Sequence, residues 1–230
     1  MRPITLLPGL ACDAELWRPQ LQALSPRRTL QVSDVHARFA TLPQMAAALL
    51  AEQPGELLLC GASMGGMLAL EVLRQAPQRV RALALLGTSA RPDTPELLKL
   101  RGEAIGLFEQ GRMREVLQAN LAFAFDPAHA RALAPAYLAM IERAGAAQLI
   151  AQNRAVMARA DQRPLLPHIG CPTLVVVGRS DQLTPPEHAL ELAQGIPASR
   201  LEQIDVCGHM LTWEQPERIN ALLADWFGAF

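Results

Sequence analysis

The sequence predicts an α/β fold: a mostly parallel sheet with helices on both faces and a helical cap inserted before the strand that leads to Asp181. Three observations carry this. Short apolar runs of strand length alternate with helical patterns over residues 1–92 and again over 163–230. The run Leu57-Leu58-Leu59 is unbroken rather than alternating, which suits a strand covered on both faces. Residues 93–162 show only helical patterning, and a stretch of about 70 residues is too long for an ordinary connection.

Each element has a local reason. "PITLLPG" reads as a strand stopped by Pro8-Gly9. "DAELWRPQLQAL" reads as a helix capped by Asp13, with Leu16, Trp17, Leu21 and Leu24 on one face. "TLQVSDV" is the next strand. Thr41-x-x-Gln44 has capping-box spacing and opens a helix that ends before Pro54-Gly55. "ELLLCG" is a buried strand, "GGMLALEVLRQAP" a helix ended by Pro77, and "VRALALLGT" a strand. In the insertion, Thr94-Pro95 and Asp126-Pro127 each read as an N-cap with proline at the first helical position. The sheet pattern resumes with "CPTLVVVG", a helix over 185–194, the strand "RLEQIDV" and a closing amphipathic helix, "PERINALLADWF". The division expected is therefore a sheet core of 1–92 and 163–230 with a helical cap, or lid, of 93–162.

Composition narrows the class. The chain has 230 residues, 50% of them hydrophobic and 19% charged, with a net charge of −1, which is globular rather than disordered. The near-neutral balance gives no electrostatic reason for a nucleic-acid or anionic-membrane partner. The first ten residues make a poor signal peptide, broken by Pro3 and Pro8, so a cytoplasmic setting is expected. Cys12, Cys60, Cys171 and Cys207 are widely spaced, which favours free thiols and predicts no structural metal.

The chemistry centres on Gly61-Ala62-Ser63-Met64-Gly65, a G-x-S-x-G run with a buried strand before it and a helix after it. Such a nucleophile elbow lifts the serine hydroxyl above the sheet edge, and its glycines let neighbouring chain come close. A simple phosphate-binding or structural turn is the plainer alternative. A serine needs a base. Of the five histidines, His209 lies in a Gly-containing loop just after the last strand, at the carboxyl end of the sheet, where such sheets bind ligands. His188 falls inside a charged helix, His129 in the insertion, His168 in a proline-rich stretch and His36 after an early strand. The base in turn needs an acid. Asp181, just past a strand in "VVVGRSDQLTPP", is the first choice; Asp205 and Asp34 are rivals, whereas Asp13 and Asp126 read as helix caps. The order Ser63, Asp181, His209 suits an elbow on this architecture. The backbone N–H groups of Met64 and Leu10 are the expected oxyanion donors, because Pro8 has none to give.

Together these segments resemble the α/β-hydrolase fold superfamily over nearly the whole chain. "LPGLACDAELW" looks like the oxyanion-loop segment and "GASMGG" like the elbow. "RPLLPHIGCPTLVVVGRSDQLTPPEHA" looks like the return from lid to acid, and "CGHMLTWEQPERINALLADWF" like the histidine loop and closing helix. The first strand already carries the oxyanion loop, so the resemblance implies a shortened sheet of about six strands. The loop reads Pro8-Gly9-Leu10 where many relatives have His-Gly. The resemblance also implies a serine hydrolase that cleaves an ester or thioester through an acyl-enzyme on Ser63, without a cofactor. The alternatives are a carbon–carbon bond hydrolase or lyase with the same triad, or a non-catalytic ligand-binding member. The partner expected is a small-molecule acyl substrate, and a homodimer is allowed. Trp17, Phe123, Phe125 and Tyr137 are expected to line an apolar pocket, with Phe108, Met113 and Met140 as further candidates; packing of the lid is their plainer reading. Single arginines such as Arg91, Arg154 or Arg159 are available to an anionic substrate.

Overall fold

The computed structural model describes residues 2–230. Six segments form the strands β1 (Ile4–Leu7), β2 (Leu30–Val32), β3 (Leu57–Ala62), β4 (Val80–Leu86), β5 (Thr173–Gly178) and β6 (Ser199–Ile204). They make one sheet in the order β2-β1-β3-β4-β5-β6, with every pair parallel. The four inner strands are almost wholly buried, whereas edge strands β2 and β6 are partly exposed. This is why the inner runs are predominantly apolar while "RLEQI" is not.

Alternation along the strands divides the core in two. Leu6, Leu58, Cys60, Ala84 and Val176 face one layer, together with Trp17 and Phe227. Leu7, Leu59, Leu83, Leu85 and Val177 face the other. The helices are α1 (Arg18–Leu24), α2 (Val35–Arg38), α3 (Leu42–Glu52), α4 (Met64–Gln75), α5 (Pro95–Glu109), α6 (Met113–Ala124), α7 (Pro127–Met157), α8 (Pro186–Gly195), α9 (Leu211–Glu214) and α10 (Pro216–Gly228). Helices α3, α4 and α8 bury their apolar sides in the Leu59 layer, and α10 buries Ile219, Leu222, Leu223 and Phe227 in the Leu58 layer.

The capping residues act as their types dictate. Asp13 accepts the Glu15 N–H at 2.8 Å, Thr41 that of Gln44, Thr94 that of Leu97, and Asp126 that of Ala128 at 2.9 Å. Each satisfies a donor that a helix start leaves free. Between Asp13 and α1 the chain forms a 3-10 turn, Ala14–Trp17. The short helices α2 and α9 carry too little periodicity to be read from sequence.

Helices α5, α6 and α7, followed by a 3-10 turn at Arg163–His168, make up the regular structure of the segment between β4 and β5. Helix α7 breaks at Gly145, where φ is 78°, a conformation that glycine adopts without a Cβ penalty. The two ends of this segment meet at its base. Gln162 donates its N–H to the Ala90 carbonyl at 2.9 Å. The Asp93 carboxylate, 2% exposed, is bound by Arg159 at 2.8 Å and by Arg101 at 2.6 Å. Arg159 is itself 5% exposed and also donates to the carbonyls of Arg91 and Val156. Arg101 reaches on to Asn153 Oδ1.

Candidate active site

The sheet order reverses at β1: β2 lies on one side of it and β3 on the other. Such a reversal opens a crevice above the carboxyl ends of the strands. Both the Pro8-Gly9 loop and Ser63 sit there, each directly after its strand. Ser63 has φ 53° and ψ −118°, a region in which a non-glycine residue is strained at a cost on the order of 1–3 kcal/mol. The surroundings hold it: the Ser63 N–H donates to Leu86 O at 2.9 Å, and Thr88 Oγ1 donates to Ser63 O at 2.7 Å. The flanking glycines are needed for close approach. A Cβ at Gly65 would stand 2.0 Å from the Leu7 carbonyl oxygen, and one at Gly61 would stand 2.3 Å from the Gly65 carbonyl oxygen.

Three distant segments converge on the hydroxyl. His209 Nε2 lies 2.9 Å from Ser63 Oγ, and His209 Nδ1 lies 2.8 Å from Asp181 Oδ2. A carboxylate only accepts, so Nδ1 carries the ring proton and Nε2 presents its lone pair to the serine hydroxyl. Asp181 is fully engaged: Oδ1 accepts the N–H groups of Leu183 and Thr184 at 2.9 Å, and Oδ2 also accepts the Thr184 hydroxyl at 2.9 Å. Burial alone would push the His209 pKa down and the Asp181 pKa up. Their mutual charge and hydrogen bond outweigh this, so His209 lies above its ordinary value and Asp181 below.

The rival residues lie elsewhere. Asp205 is exposed and pairs with Arg179 at 2.7 Å, and Asp34 pairs with Arg38 at 2.9 Å. His36 contacts the Cys12 carbonyl and His129 that of Val206. His188 is half-buried within α8, and His168 is exposed. Arg91, Arg154 and Arg159 are all paired, with Glu191, Glu109 and Asp93.

Leu10 directly follows Gly9, and Met64 directly follows Ser63. Gly9 packs against the elbow, its Cβ position 3.4 Å from Ser63 Cβ, and the Cys12 N–H closes a turn onto Gly9 O at 3.1 Å. Among the described residues, neither the Leu10 nor the Met64 N–H is taken up by another group. Cys12 is a buried thiol whose pKa is pushed up to about 12 by burial, and by the neighbouring Asp13, so it is not a rival nucleophile. A cleft of about 360 Å³, lined by Pro8, Cys12, Ser33, His36, Arg143 and Gln148 among others, opens beside this loop.

The side chains expected to line an apolar pocket are placed as follows. Trp17, Phe125 and Tyr137 are 0%, 1% and 5% exposed, all in one core cluster. Phe125 meets Tyr137 edge-on at 5.3 Å, and the Tyr137 hydroxyl accepts from Asn120. Phe108 and Met140 are buried in the same cluster. Phe123 is 48% exposed.

One residue of evident importance gave no sequence signal. Glu214, 4% exposed, accepts the N–H groups of Gly208 at 2.9 Å, Met210 at 3.0 Å and Asp126 at 2.8 Å. Burial lifts its pKa above the ordinary carboxylate value, against the lowering effect of those amides. It brackets His209 from both sides, while the His209 N–H donates to Ala124 O at 3.0 Å. Its spacing from His209 matches no short motif, so only the folded loop reveals it.

Comparison with known proteins is consistent with this geometry. A family model described as alpha/beta hydrolase fold matches residues 2–216. The chain is 31% identical over 242 residues to a pimeloyl-[acyl-carrier protein] methyl ester esterase of Aromatoleum aromaticum, covering 96% of each. It is 29% identical over 178 residues to a 2-hydroxy-6-oxo-6-phenylhexa-2,4-dienoate hydrolase of Comamonas testosteroni, covering 73% of this chain and 61% of that one. Among solved structures it is similar to a thermophilic esterase from Thermogutta terrifontis, with TM-score 0.90 and 27% identity, covering 100% of this chain and 90% of that one. It is also similar to the enol-lactonase from Burkholderia xenovorans, with TM-score 0.86 and 26% identity, covering 98% and 91%.

Proposed function

The chain belongs to the alpha/beta hydrolase fold family, and from that premise we propose that it is a serine hydrolase that cleaves a carboxylic ester or thioester of a small molecule. The observation that carries this reading is the unbroken relay from Ser63 Oγ through His209 to Asp181, with contacts of 2.9 Å and 2.8 Å. A non-catalytic binding module has no use for such a relay. The esterases and the lactonase among its relatives point the same way.

Ser63 Oγ attacks the carbonyl carbon while His209 Nε2 takes its proton. Asp181 stays ionised and steadies the imidazolium that forms. The carbonyl oxygen becomes an oxyanion held by the N–H groups of Met64 and Leu10, aided by the positive end of α4. The C–O or C–S bond then breaks, and the leaving group takes the proton from His209 Nε2. Water repeats the sequence on the acyl-Ser63 ester, which releases the acid and restores the hydroxyl.

Carbon–carbon bond cleavage by the same triad is a second reading, favoured by the likeness to the Comamonas testosteroni hydrolase. Initial rates and product analysis over esters, thioesters and β-diketones decide between them. Esters and thioesters varied in acyl length and leaving group are expected to be turned over, and a fluorophosphonate is expected to label the peptide containing Ser63. Absence of both hydrolysis and label sinks the proposal.

The relay also sets a pH profile. His209 works only unprotonated, and its pKa lies above the ordinary histidine value, about 6.5. Activity is therefore absent at low pH and is gained as pH rises. The midpoint of kcat/KM is expected above about 6.5, and Asp181→Asn should move it down. An acid limb that Asp181→Asn leaves in place would assign the titration to another group. A cytoplasmic setting accompanies the proposal, in keeping with four free, buried cysteines.

A further inference from the structure

We infer that Gln152, a side chain of the inserted helices, is a positioning residue for the oxyanion site, holding the main chain at residues 10–12 so that the Leu10 N–H faces the developing charge. The inference rests on the reading of Leu10 as an oxyanion donor.

Gln152 lies past the Gly145 break of α7 and is 1% exposed. Its Oε1 accepts the Ala11 N–H at 2.6 Å, and its Nε2 donates to the His36 carbonyl at 2.9 Å. A side-chain amide has one accepting and one donating end, and here each meets its complement, so the amide has a single orientation. His36 completes the arrangement. Its Nε2 lies 2.8 Å from the Cys12 carbonyl, which can only accept, so Nε2 carries the proton. Two buried side chains from different segments thus hold consecutive residues of one loop.

The loop needs such holding. Ala11 has φ 56°, a conformation that alanine avoids, and Gly9 precedes it. The Ala11 N–H is wholly buried with its residue and has Gln152 as its partner. Without that partner, turning the Leu10–Ala11 peptide plane through ψ of Leu10 and φ of Ala11 would relieve both the strain and the unpaired donor. Relaxation at residue 11 would also free the adjoining Gly9–Leu10 peptide, which carries the Leu10 N–H, to shift from its line. An oxyanion donor acts only within about 2.7–3.1 Å of the oxygen's transition-state position.

A role limited to packing would change stability and leave transition-state binding alone, and this is the split to measure. In Gln152→Met the amide is gone. In Gln152→Asn it is kept, one methylene short of Ala11. Steady-state kinetics on a chromogenic ester and the affinity for a trifluoromethyl ketone, whose adduct with Ser63 carries the oxyanion, are compared with wild type. Expected in each folded variant is a kcat lower by about tenfold to hundredfold, KM within about twofold, and ketone affinity weakened in parallel. Should Gln152→Met not fold, Gln152→Asn carries the test. A folded variant with wild-type kcat, or a loss confined to KM with ketone affinity unchanged, overturns the assignment of Gln152. A wild-type protein that neither hydrolyses esters nor takes a fluorophosphonate overturns the hydrolase reading and this inference with it.

Discussion

Ser63→Ala is expected to lower kcat by roughly 10⁴- to 10⁶-fold with little change in KM. Among the described residues, His209 Nε2 has the Ser63 hydroxyl as its partner, at 2.9 Å, so no neighbour takes over the attack. Cys12 is the nearest thiol in sequence to the oxyanion loop, and its raised pKa leaves almost no thiolate at neutral pH. Asp181→Asn should cost about 10⁴-fold, because an amide favours the wrong tautomer of His209 and does not compensate the imidazolium. Initial rates with a short-chain chromogenic ester, together with intact-mass detection of fluorophosphonate labelling, read both. A Ser63→Ala protein that retained more than about one hundredth of the wild-type rate would remove Ser63 from the mechanism.

Asp93→Ala is expected to destabilise the fold by about 3–5 kcal/mol, the loss seen when one partner of a buried ion pair is deleted. Asp93 is 2% exposed, and Arg159 at 5% exposure cannot reach water for compensation; Arg101, at 27%, can. For a chain of this size the melting temperature should fall by roughly 6–20 °C. The double variant Asp93→Ala/Arg159→Met should recover part of that loss, because it leaves no uncompensated charge in the interior. Scanning calorimetry of the three proteins tests this. Equal melting of wild type and Asp93→Ala would mean that the ion pair at the base of the inserted helices contributes nothing net.

What could be read from the sequence was what short-range chemistry writes. The six strands, the caps at Asp13, Thr41, Thr94 and Asp126, and the proline stops depend on neighbours within a few residues, and those signals are local. The elbow was legible because strand, glycine, serine and helix are consecutive. Chain order and the strand ends then pointed to Asp181 and His209 for the other two positions. The remainder depends on contacts made only after folding. Glu214 binds amides at 126, 208 and 210, and Gln152 binds residue 11 across 141 positions; a buried glutamate or glutamine has no periodicity that distinguishes it from a surface one. The role of the aromatic side chains was not legible for the opposite reason. Phe125 and Tyr137 announce burial clearly, but an apolar face looks the same in sequence whether it meets another helix or a ligand.

The anchoring of Ala124 and Asp126 to the histidine loop and to Glu214 restricts how this protein can be re-engineered. A chimera that replaced all three inserted helices with those of another family member, in search of a new substrate range, would cut through the mounting of His209. Fusion points placed within α7, beyond residue 127 and short of Gln152, would leave that mounting intact.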